Sequence, residues 1–264
     1  MGSMSREALG SARSVLSDLG GSVDLTTGEQ LLDAGRVIGG SVQLQSYLAD
    51  PAVDVATKKQ LLDRLFGSFS ESTRAVLVSV VGSRWSSSDD LLAGIEEVAF
   101  RAIATTTPAD SSIENELFAF DAAVRTDSQL ELALGSKLGD PAAKADLVER
   151  LLGGKASRQT VTIVMHLVQQ PRGRRIGELL RHAADIVADQ SDQLVATVTS
   201  AVHLDDAHVT RLQHGLARQF GRSLRINQVI DPAVVGGLRV QVGDEVIDGT
   251  VATKLSLLRL QLAG

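Results

Sequence analysis

The run from Gly153 to Ser157 is the part of this 264-residue sequence that comes nearest to a nucleotide-binding motif. A phosphate loop needs an earlier glycine, a lysine for the phosphates, and a serine or threonine that holds magnesium. Lys155 is present, but the first glycine is missing and Ala156 stands where the hydroxyl residue belongs. A second glycine pair, Gly236-Gly237, lies between strand patterns where no helix begins to bind a phosphate. We predict a turn or bulge with positive φ at that pair, and no nucleotide site at either place.

Three histidines, His203, His208 and His214, lie close together in the sequence and suggest a zinc site. Their spacings do not place them on one helical face, and the sequence offers no cysteine and no clear carboxylate set to complete the shell. We therefore expect solvated histidines, and neither a metal nor a cofactor. The absence of cysteine also removes disulfides and cysteine nucleophiles. No nucleophile-elbow pattern favours a Ser–His–Asp site, although such a site stays open at this point.

The densest basic run extends from Pro171 to Arg175 and favours a polar turn between two helices, with a contact for an acidic partner as the alternative. The formal net charge is −6 with both signs mixed along the chain, which argues against nucleic acid as a partner. No apolar run is long enough for a membrane span, and the first residues lack the pattern of a secretory signal. We expect a cytoplasmic protein without direct membrane insertion.

Helices are predicted from residue 5 to about residue 190, because apolar residues recur at helical spacing and Gly, Pro, Ser or Asp stand at the breaks. Within this region the chain repeats itself. The run from Lys58 to Gly67 aligns without a gap with the run from Lys144 to Gly153. The same register places Leu77-Val78 on Ile163-Val164. Amphipathic helices also resemble one another by chance, but we interpret the match as a duplicated helical domain.

Upstream, Leu48 to Pro51 matches Leu138 to Pro141 if the first copy carries a four-residue insertion. Each of the two Asp-Pro pairs is expected to open a helix, since proline fits the first helical position. 

After Gln193 the apolar period changes from helical to alternating. We predict a strand whose apolar face runs from Leu194 to Leu204 and a helix ended by Gly221. A further strand and a hairpin turned by Gly243-Asp244 should follow. Asp248 is placed to cap a last helix. The apolar stripe of that helix, expected to cover the sheet or to seat a partner, is Val251, Leu255, Leu258 and Leu262.

The predicted fold is mostly α with a small α/β C-terminal domain: a duplicated N-terminal helical bundle followed by a small sheet flanked by helices. The expected domains are residues 1–109, an extra helical copy; 110–192, a second copy whose first helix is shared from about residue 96; and 193–264, the α/β domain.

The α/β tail resembles the C-terminal signature of the delta subunit family of F-type ATP synthases, called OSCP in mitochondria. The residues that carry the resemblance, in matching order and spacing, are Ser200, Ala201, Asp231, Pro232, Gly236, Gly237, Gly243, Asp244, Asp248 and Gly249. The family usually has serine where this chain has Thr250, and either hydroxyl can serve near a helix start.

The helical part resembles the N-terminal bundle of the same family. Ala99 to Ile103 look like its opening helix, and Asp140-Pro141 followed by Lys144 looks like its middle. Residues 5–105 then form an extra copy, as in the long delta chains of actinobacteria.

The resemblance implies a non-catalytic stator subunit that links the alpha/beta catalytic head to the peripheral stalk. The implied partners are the N-terminal segments of alpha subunits and the C-terminal ends of b subunits, on the cytoplasmic face of the bacterial plasma membrane. Helix-in-groove contacts suit this role. The groove residues we expect for the alpha segments are Phe100, Ile103, Val161 and Val164 in the second copy and Leu9, Leu16, Val76 and Val80 in the first. The alternatives are a helical adaptor unrelated to energy conversion, and a small-molecule enzyme that uses the crevice between the helical and α/β parts.

Overall fold

Helices make up most of the first 190 residues in the computed structural model, which describes residues 2–108, 111–136, 139–191, 193–221, 223–234, 236–242 and 245–249. In chain order they are α1 (Ser3–Leu19), α2 (Leu25–Gly39), α3 (Val42–Ala49), α4 (Val55–Leu65), α5 (Glu71–Gly82), α6 (Ser88–Thr105), α7 (Ile113–Thr126), α8 (Ser128–Gly135), α9 (Pro141–Leu152), α10 (Arg158–Gln169) and α11 (Ile176–Gln190). The predicted helical region is confirmed. No helix in these ranges combines the length and the apolar composition that crossing a bilayer requires.

Short polar side chains fix where most of these helices begin, because they satisfy amide groups that lack a partner in the first turn. Asp140 caps α9 and Pro141 occupies its first position, as predicted. Pro51 opens no helix. Asp50 instead accepts a hydrogen bond from Ala52 N in a turn, and α4 begins only after its cap, Asp54. The expectation for the first Asp-Pro pair was therefore wrong. Asp54, not Asp50, corresponds to Asp140, and the four-residue insertion is not needed.

The second half of the helical region packs in the same pairs as the first half. α2 lies along α6 and α4 along α5; in the same way α7 lies along α11 and α9 along α10. α1 contacts α5 and α6, and α6 in turn contacts α10 and α11. α6 thus belongs to both sets of helices, which explains why its side chains are buried on almost every side.

The repeat changes register once along the chain. α9 is one residue longer than α4, so the capping residues Asp140 and Ser157 are one residue farther apart than Asp54 and Ser70. The gap-free alignment is therefore displaced by one residue in α10. Leu77 corresponds to Val164 rather than to Ile163, and both are fully buried.

The C-terminal part is a small mixed sheet with one helix. Its elements are β1 (Gln193–Ser200), α12 (Asp206–Phe220), β2 (Ser223–Ile230), β3 (Arg239–Val242) and β4 (Glu245–Asp248), with strand order β2-β1-β3-β4. β1 and β2 are parallel, whereas β3 pairs antiparallel with β1 and with β4. The hairpin pairing of β3 with β4 and the helix end at Gly221 are confirmed, and Asp205 caps the start of α12. The predicted mostly α fold with a small α/β domain is confirmed.

The two faces of the sheet have different neighbours. One face packs with α12 in a core of its own, made of Ala196, Val198, Leu216, Leu224, Val240 and Val242. On the other face, Val195 joins the large core of the helical part. The first strand is shorter than predicted because Ser200 turns the chain: its hydroxyl donates to Val202 O at 2.7 Å and its carbonyl accepts from Asp231 N at 2.9 Å. Val202 and Leu204 therefore lie beyond β1.

Candidate interaction surfaces

The eight apolar residues expected to line grooves for a partner lie inside the helical bundle. Their side chains are 0 to 6% exposed in Leu9, Leu16, Val76, Val80, Phe100, Ile103, Val161 and Val164. Apolar periodicity identifies the side chains that face a core, and these residues do that. In this conformation they offer a partner no surface, so a partner helix would contact the outer rim of the same helices.

An open seam runs along the outside of α1 and α5. The helices are antiparallel, since Ser86 N, just after α5, donates to Ser5 Oγ at 2.9 Å, and Ser72 at the start of α5 donates to Ser22 O, just after α1, at 2.9 Å. We call this surface the open seam and define it by helical spacing as Met4, Ala8, Ser11 and Val15 of α1 with Ala75, Ser79 and Ser83 of α5.

The open seam is lined by small apolar and hydroxyl side chains. Met4 is 49% exposed and Ser11 is exposed, Ala75 and Ser79 are half-buried, and Ala8 is buried at the floor. At one end lies a cavity of about 360 Å³ lined by Met4, Glu7, Ala8, Ser11, Ser83 and Arg84. A seam of small side chains lets the backbone of another helix approach closely.

The corresponding seam between α6 and α10 is covered by α2, and we call it the covered seam. Gly28 of α2 lies directly on Ile103, with no room for a Cβ atom. Farther along α2, a Cβ at Gly35 or at Gly39 would contact α6 at 3.4 or 3.3 Å. Glu29 of α2 accepts a hydrogen bond from Thr162 of α10 at 3.3 Å and lies 3.8 Å from Arg158.

Glu96 joins three elements from its buried position in the middle of α6. Its carboxylate accepts hydrogen bonds from Arg172 at 2.7 Å and Arg174 at 3.2 Å, and it lies 3.2 Å from His166 Nε2. Burial opposes ionisation, but His166 and the two arginines together lower the pKa of Glu96 below its ordinary value. The structure thus places the basic run in the α10–α11 turn, as predicted, with two of its arginines bound inside the chain.

His166 is the buried partner of this carboxylate. Burial lowers the pKa of His166, so its neutral ring donates Nε2–H to Glu96. Phe100 contacts the ring edge-on, with 5.9 Å between ring centroids. His166 Nδ1 has no hydrogen-bond partner among the residues that the structure describes.

A crevice separates the helical bundle from the sheet. β1 packs on α11 and β2 on α7, leaving a cavity of about 370 Å³ whose wall includes Arg125 and Arg181. Asp121 lies beneath them, paired with Arg125 and 3.8 Å from Arg181. Burial raises the pKa of Asp121 in spite of both arginines, and its Oδ1 has no hydrogen-bond partner in the described ranges. This carboxylate thus differs from Glu96, whose partners outweigh burial.

The signature residues of the α/β domain meet at one end of the sheet. Ser200 ends β1 and Ala201 follows it, Asp231 and Pro232 follow β2, Gly236 and Gly237 precede β3, and Asp248 ends β4 with Gly249 after it. Gly236 and Gly237 have φ values of 61° and 101°, which confirms the expected turn with positive φ. The signature therefore shapes the turns at this end. Gly243 and Asp244 lie outside the described residues.

Two exposed apolar side chains flank the same end. Ile230 ends β2, where it pairs with Ser200 at the end of β1, and its side chain is 54% exposed. Val202 lies two residues after Ser200 and is 68% exposed. The predicted stripe of the last helix, Val251, Leu255, Leu258 and Leu262, lies outside the described residues.

The glycine–lysine loop is the α9–α10 turn, and its amide groups have partners within the chain. Lys155 N and Ala156 N both donate to Leu152 O, at 2.9 and 3.0 Å. The following helix start is occupied by Glu116, whose carboxylate accepts from Ser157 N at 3.0 and 3.1 Å. A phosphate would have to displace these contacts.

The three histidines point to local contacts at the surface. His203 Nδ1 lies 2.6 Å from Leu204 O, and His208 Nδ1 lies 2.6 Å from an Asp205 oxygen. Within the described part of the chain, no group of three or more His, Cys, Asp or Glu side chains could hold a metal ion.

Two features were missed at the sequence level, although each had a signal. Glu96-Glu97 interrupts an apolar helix that is otherwise buried, which is unusual unless the charges are paired. Gly28, Gly35 and Gly39 stand on one face of α2, a spacing that favours close helix packing.

Comparison with known proteins identifies the family. The family model for the ATP synthase delta (OSCP) subunit matches residues 98–262. The ATP synthase subunit delta of Leifsonia xyli subsp. xyli is 52% identical over 264 residues, covering 100% of both chains. That of Streptomyces griseus subsp. griseus is 41% identical over 271 residues, again covering 100% of both. A chain in a solved structure of the Toxoplasma gondii mitochondrial ATP synthase hexamer matches with a TM-score of 0.42 and 20% identity, over 64% of this chain and 95% of that chain. The sequence matches alone therefore decide the assignment: the chain belongs to the ATP synthase delta (OSCP) subunit family, a structural subunit of ATP synthase that is not catalytic on its own.

Proposed function

We propose that this chain is the stator subunit that links the alpha/beta catalytic head of an F-type ATP synthase to the b subunits of the peripheral stalk. Torque from a turning central shaft would otherwise rotate the head together with the shaft. A tie of this kind needs two separate binding surfaces on one chain and no catalytic residue. The helical bundle and the small α/β domain can each supply one.

The open seam carries the proposal for the head. An amphipathic helix lays its apolar face into a groove lined by apolar and small side chains, and the seam on α1 and α5 is such a groove. We assign it to the N-terminal segment of an alpha subunit. This moves the seat outward from the buried residues Leu9, Leu16, Val76 and Val80 to the rim that includes Met4.

The signature end of the sheet is our candidate seat for the C-terminal ends of the b subunits. The shaped turns there hold Val202 and Ile230 at the surface, where an apolar face of a stalk helix could cover them. The predicted stripe from Val251 to Leu262 would complete this seat or cover the sheet.

We further interpret the helical part as two copies of one bundle, in residues 1–109 and 110–192, that share α6. The pairing of helices is the same in both halves, and this supports the interpretation. Held by the b subunits, the chain would lie at the cytoplasmic face of the bacterial plasma membrane as a peripheral component.

Co-purification with separated partners tests the division of labour. Ser11→Glu should weaken binding to the alpha/beta head and leave binding to a soluble b fragment unchanged. Ile230→Asp should have the opposite effect. Val246→Asp, at an apolar residue 44% exposed on β4, is the matched control for the second variant. If both surface variants bound both partners like the parent, the assignment of the two surfaces would be wrong.

The rival adaptor, unrelated to energy conversion, predicts a different result from the same experiment. Such a chain would bind neither the head nor the b fragment. The enzyme alternative has no support, because the family is not catalytic on its own.

A further inference from the structure

We infer that the doubled helical region offers one seat for a partner helix rather than two, because α2 of the first half occupies the second seam from within the chain. The inference rests on the proposed function, since it concerns the seat assigned to the alpha segment. It adds the stoichiometry of that seat and the kind of helix that fits it.

The internal repeat sets the two seams in register. Ser72 Oγ donates to Ser22 O behind α1, and Gln159 Nε2 donates to Thr106 O behind α6 at 2.8 Å. Ser72 and Gln159 hold the same place after their capping residues, so Ser22 corresponds to Thr106.

This register aligns the residues of α1 in the open seam with residues of α6 in the covered seam. Counted back from these two contacts, Ala8 takes the place of Leu92, Ser11 that of Ile95, and Val15 that of Ala99. The three α6 residues are the ones that α2 covers: Gly39 packs on Leu92, Gly35 on Ile95, and Gly28 on Ala99 O and Ile103. Their counterparts on α1 have no described helix upon them: Ser11 is exposed and Val15 is half-buried, while Ala8 is buried at the floor of the seam.

The α5 side of the comparison gives the same result. Ala75 and Ser79 are half-buried in the open seam. Their counterparts in α10 are Thr162, which is hydrogen-bonded to Glu29 of α2, and His166, which is fully enclosed. The covered seam is therefore closed by both apolar packing and polar contacts, and a second partner helix has no access to it.

α2, which fills the covered seam, also indicates what kind of partner helix would fit the open seam. α2 runs antiparallel to α6 and presents three glycines on the contacting face. Since Ala8 and Ser11 are smaller than Leu92 and Ile95, the open seam leaves room for larger apolar side chains on its occupant. An amphipathic helix with apolar residues at that spacing fits it.

Calorimetric titration of the full chain with a synthetic peptide of the alpha N-terminal segment measures the stoichiometry. We expect one peptide per chain. Ser11→Glu should weaken binding at least tenfold, because it places a charge in the seam. Ser17→Glu, the same change at an exposed position on α1 that faces away from the open seam, should leave the affinity unchanged.

A covalent link between α2 and α10, which keeps the covered seam closed, tests the inference separately from the proposed function. The chain has no cysteine, so Glu29→Cys with Thr162→Cys introduces two neighbouring thiols that a short bifunctional maleimide can bridge, fastening α2 to α10. Peptide binding should be the same in the locked protein and in the same variant without the crosslinker. Two peptides per chain, or binding that is lost on locking, would overturn the inference while leaving the proposed function in place. A chain that binds no peptide would overturn both.

Discussion

Neutralising the two buried carboxylates, Glu96 and Asp121, should have unequal consequences for the stability of the fold. Glu96→Gln removes the charge that holds Arg172, Arg174 and His166 together, and its lowered pKa says that the fold favours the ionised form. Removing one partner of a buried ion pair costs roughly 3–5 kcal/mol. We expect about 3 kcal/mol here, the lower end of that range, because the two arginines are partly exposed and can turn to solvent.

Asp121→Asn should cost much less. Burial raises the pKa of Asp121, so its ionised form is disfavoured in the fold, and stability falls as the pH rises above the ordinary value of 3.8. The amide removes this penalty at neutral pH while it gives up the attraction of Arg125 and Arg181. We expect no loss of stability at neutral pH.

Thermal unfolding followed by far-UV circular dichroism distinguishes the two variants. A loss of 3 kcal/mol corresponds to a fall of roughly 6–12 °C in the midpoint for a chain of this size. Glu149→Gln, at an exposed position on α9, is the matched control and should stay within about 0.5 kcal/mol of the parent. If Glu96→Gln unfolded at the temperature of the parent, or if Asp121→Asn were the more damaging change, our account of these carboxylates would be refuted.

Four further outcomes are expected. Gly28→Ala should destabilise the chain by about 1–3 kcal/mol, because the added Cβ overpacks the contact with Ile103. Gly10→Ala adds a Cβ where there is open space, so it should stabilise the chain by up to about 1 kcal/mol. Urea unfolding that ranked the two variants the other way would contradict the packing of α2 on α6. Since the pKa of His166 is lowered from 6.5, the unfolded chain binds a proton below that pH that the folded chain does not, so denaturation midpoints should fall on acidification and fall less in His166→Gln. A chain ending at Asp248 lacks the four apolar residues of the predicted stripe, so it should keep its helical signal and head binding but lose the b fragment, and unchanged b affinity would count against the proposal. The purified chain should neither bind ATP tightly nor hydrolyse it, and turnover that disappears in Lys155→Ala would show otherwise.

Local signals in the sequence were enough to predict most of the helices and strands and the turn at Gly236 and Gly237. The positive φ values at Gly236 and Gly237 follow from glycine chemistry, and the cap at Asp140 follows from its place before a proline and a helical stripe. The register of the repeat was lost by one residue in α10, because apolar periodicity does not show that α9 is one residue longer than α4. The predicted helix start at Pro51 was wrong because proline permits a helix start but does not require one.

Which side chains are exposed on the bundle could not be read from apolar spacing. Val76 and Val80 were chosen because they are apolar and periodic, yet such residues are the first to be buried. The rim beside them consists mostly of Ser and Ala residues, which carry no pattern of their own. Only the packing of α2 on α6 distinguishes the seam that is covered from the seam that is open.

A three-component assembly assay tests the central claim most directly. The alpha/beta head, prepared without this subunit, is mixed with a soluble b fragment, with or without this chain, and the complexes are separated by size and identified by mass. Our account predicts that the head and the b fragment travel together only when the chain is present, and that Ser11→Glu releases the head while the chain keeps the b fragment. If the head and the b fragment assembled equally well without the chain, or if the chain bound neither, the stator proposal would be contradicted.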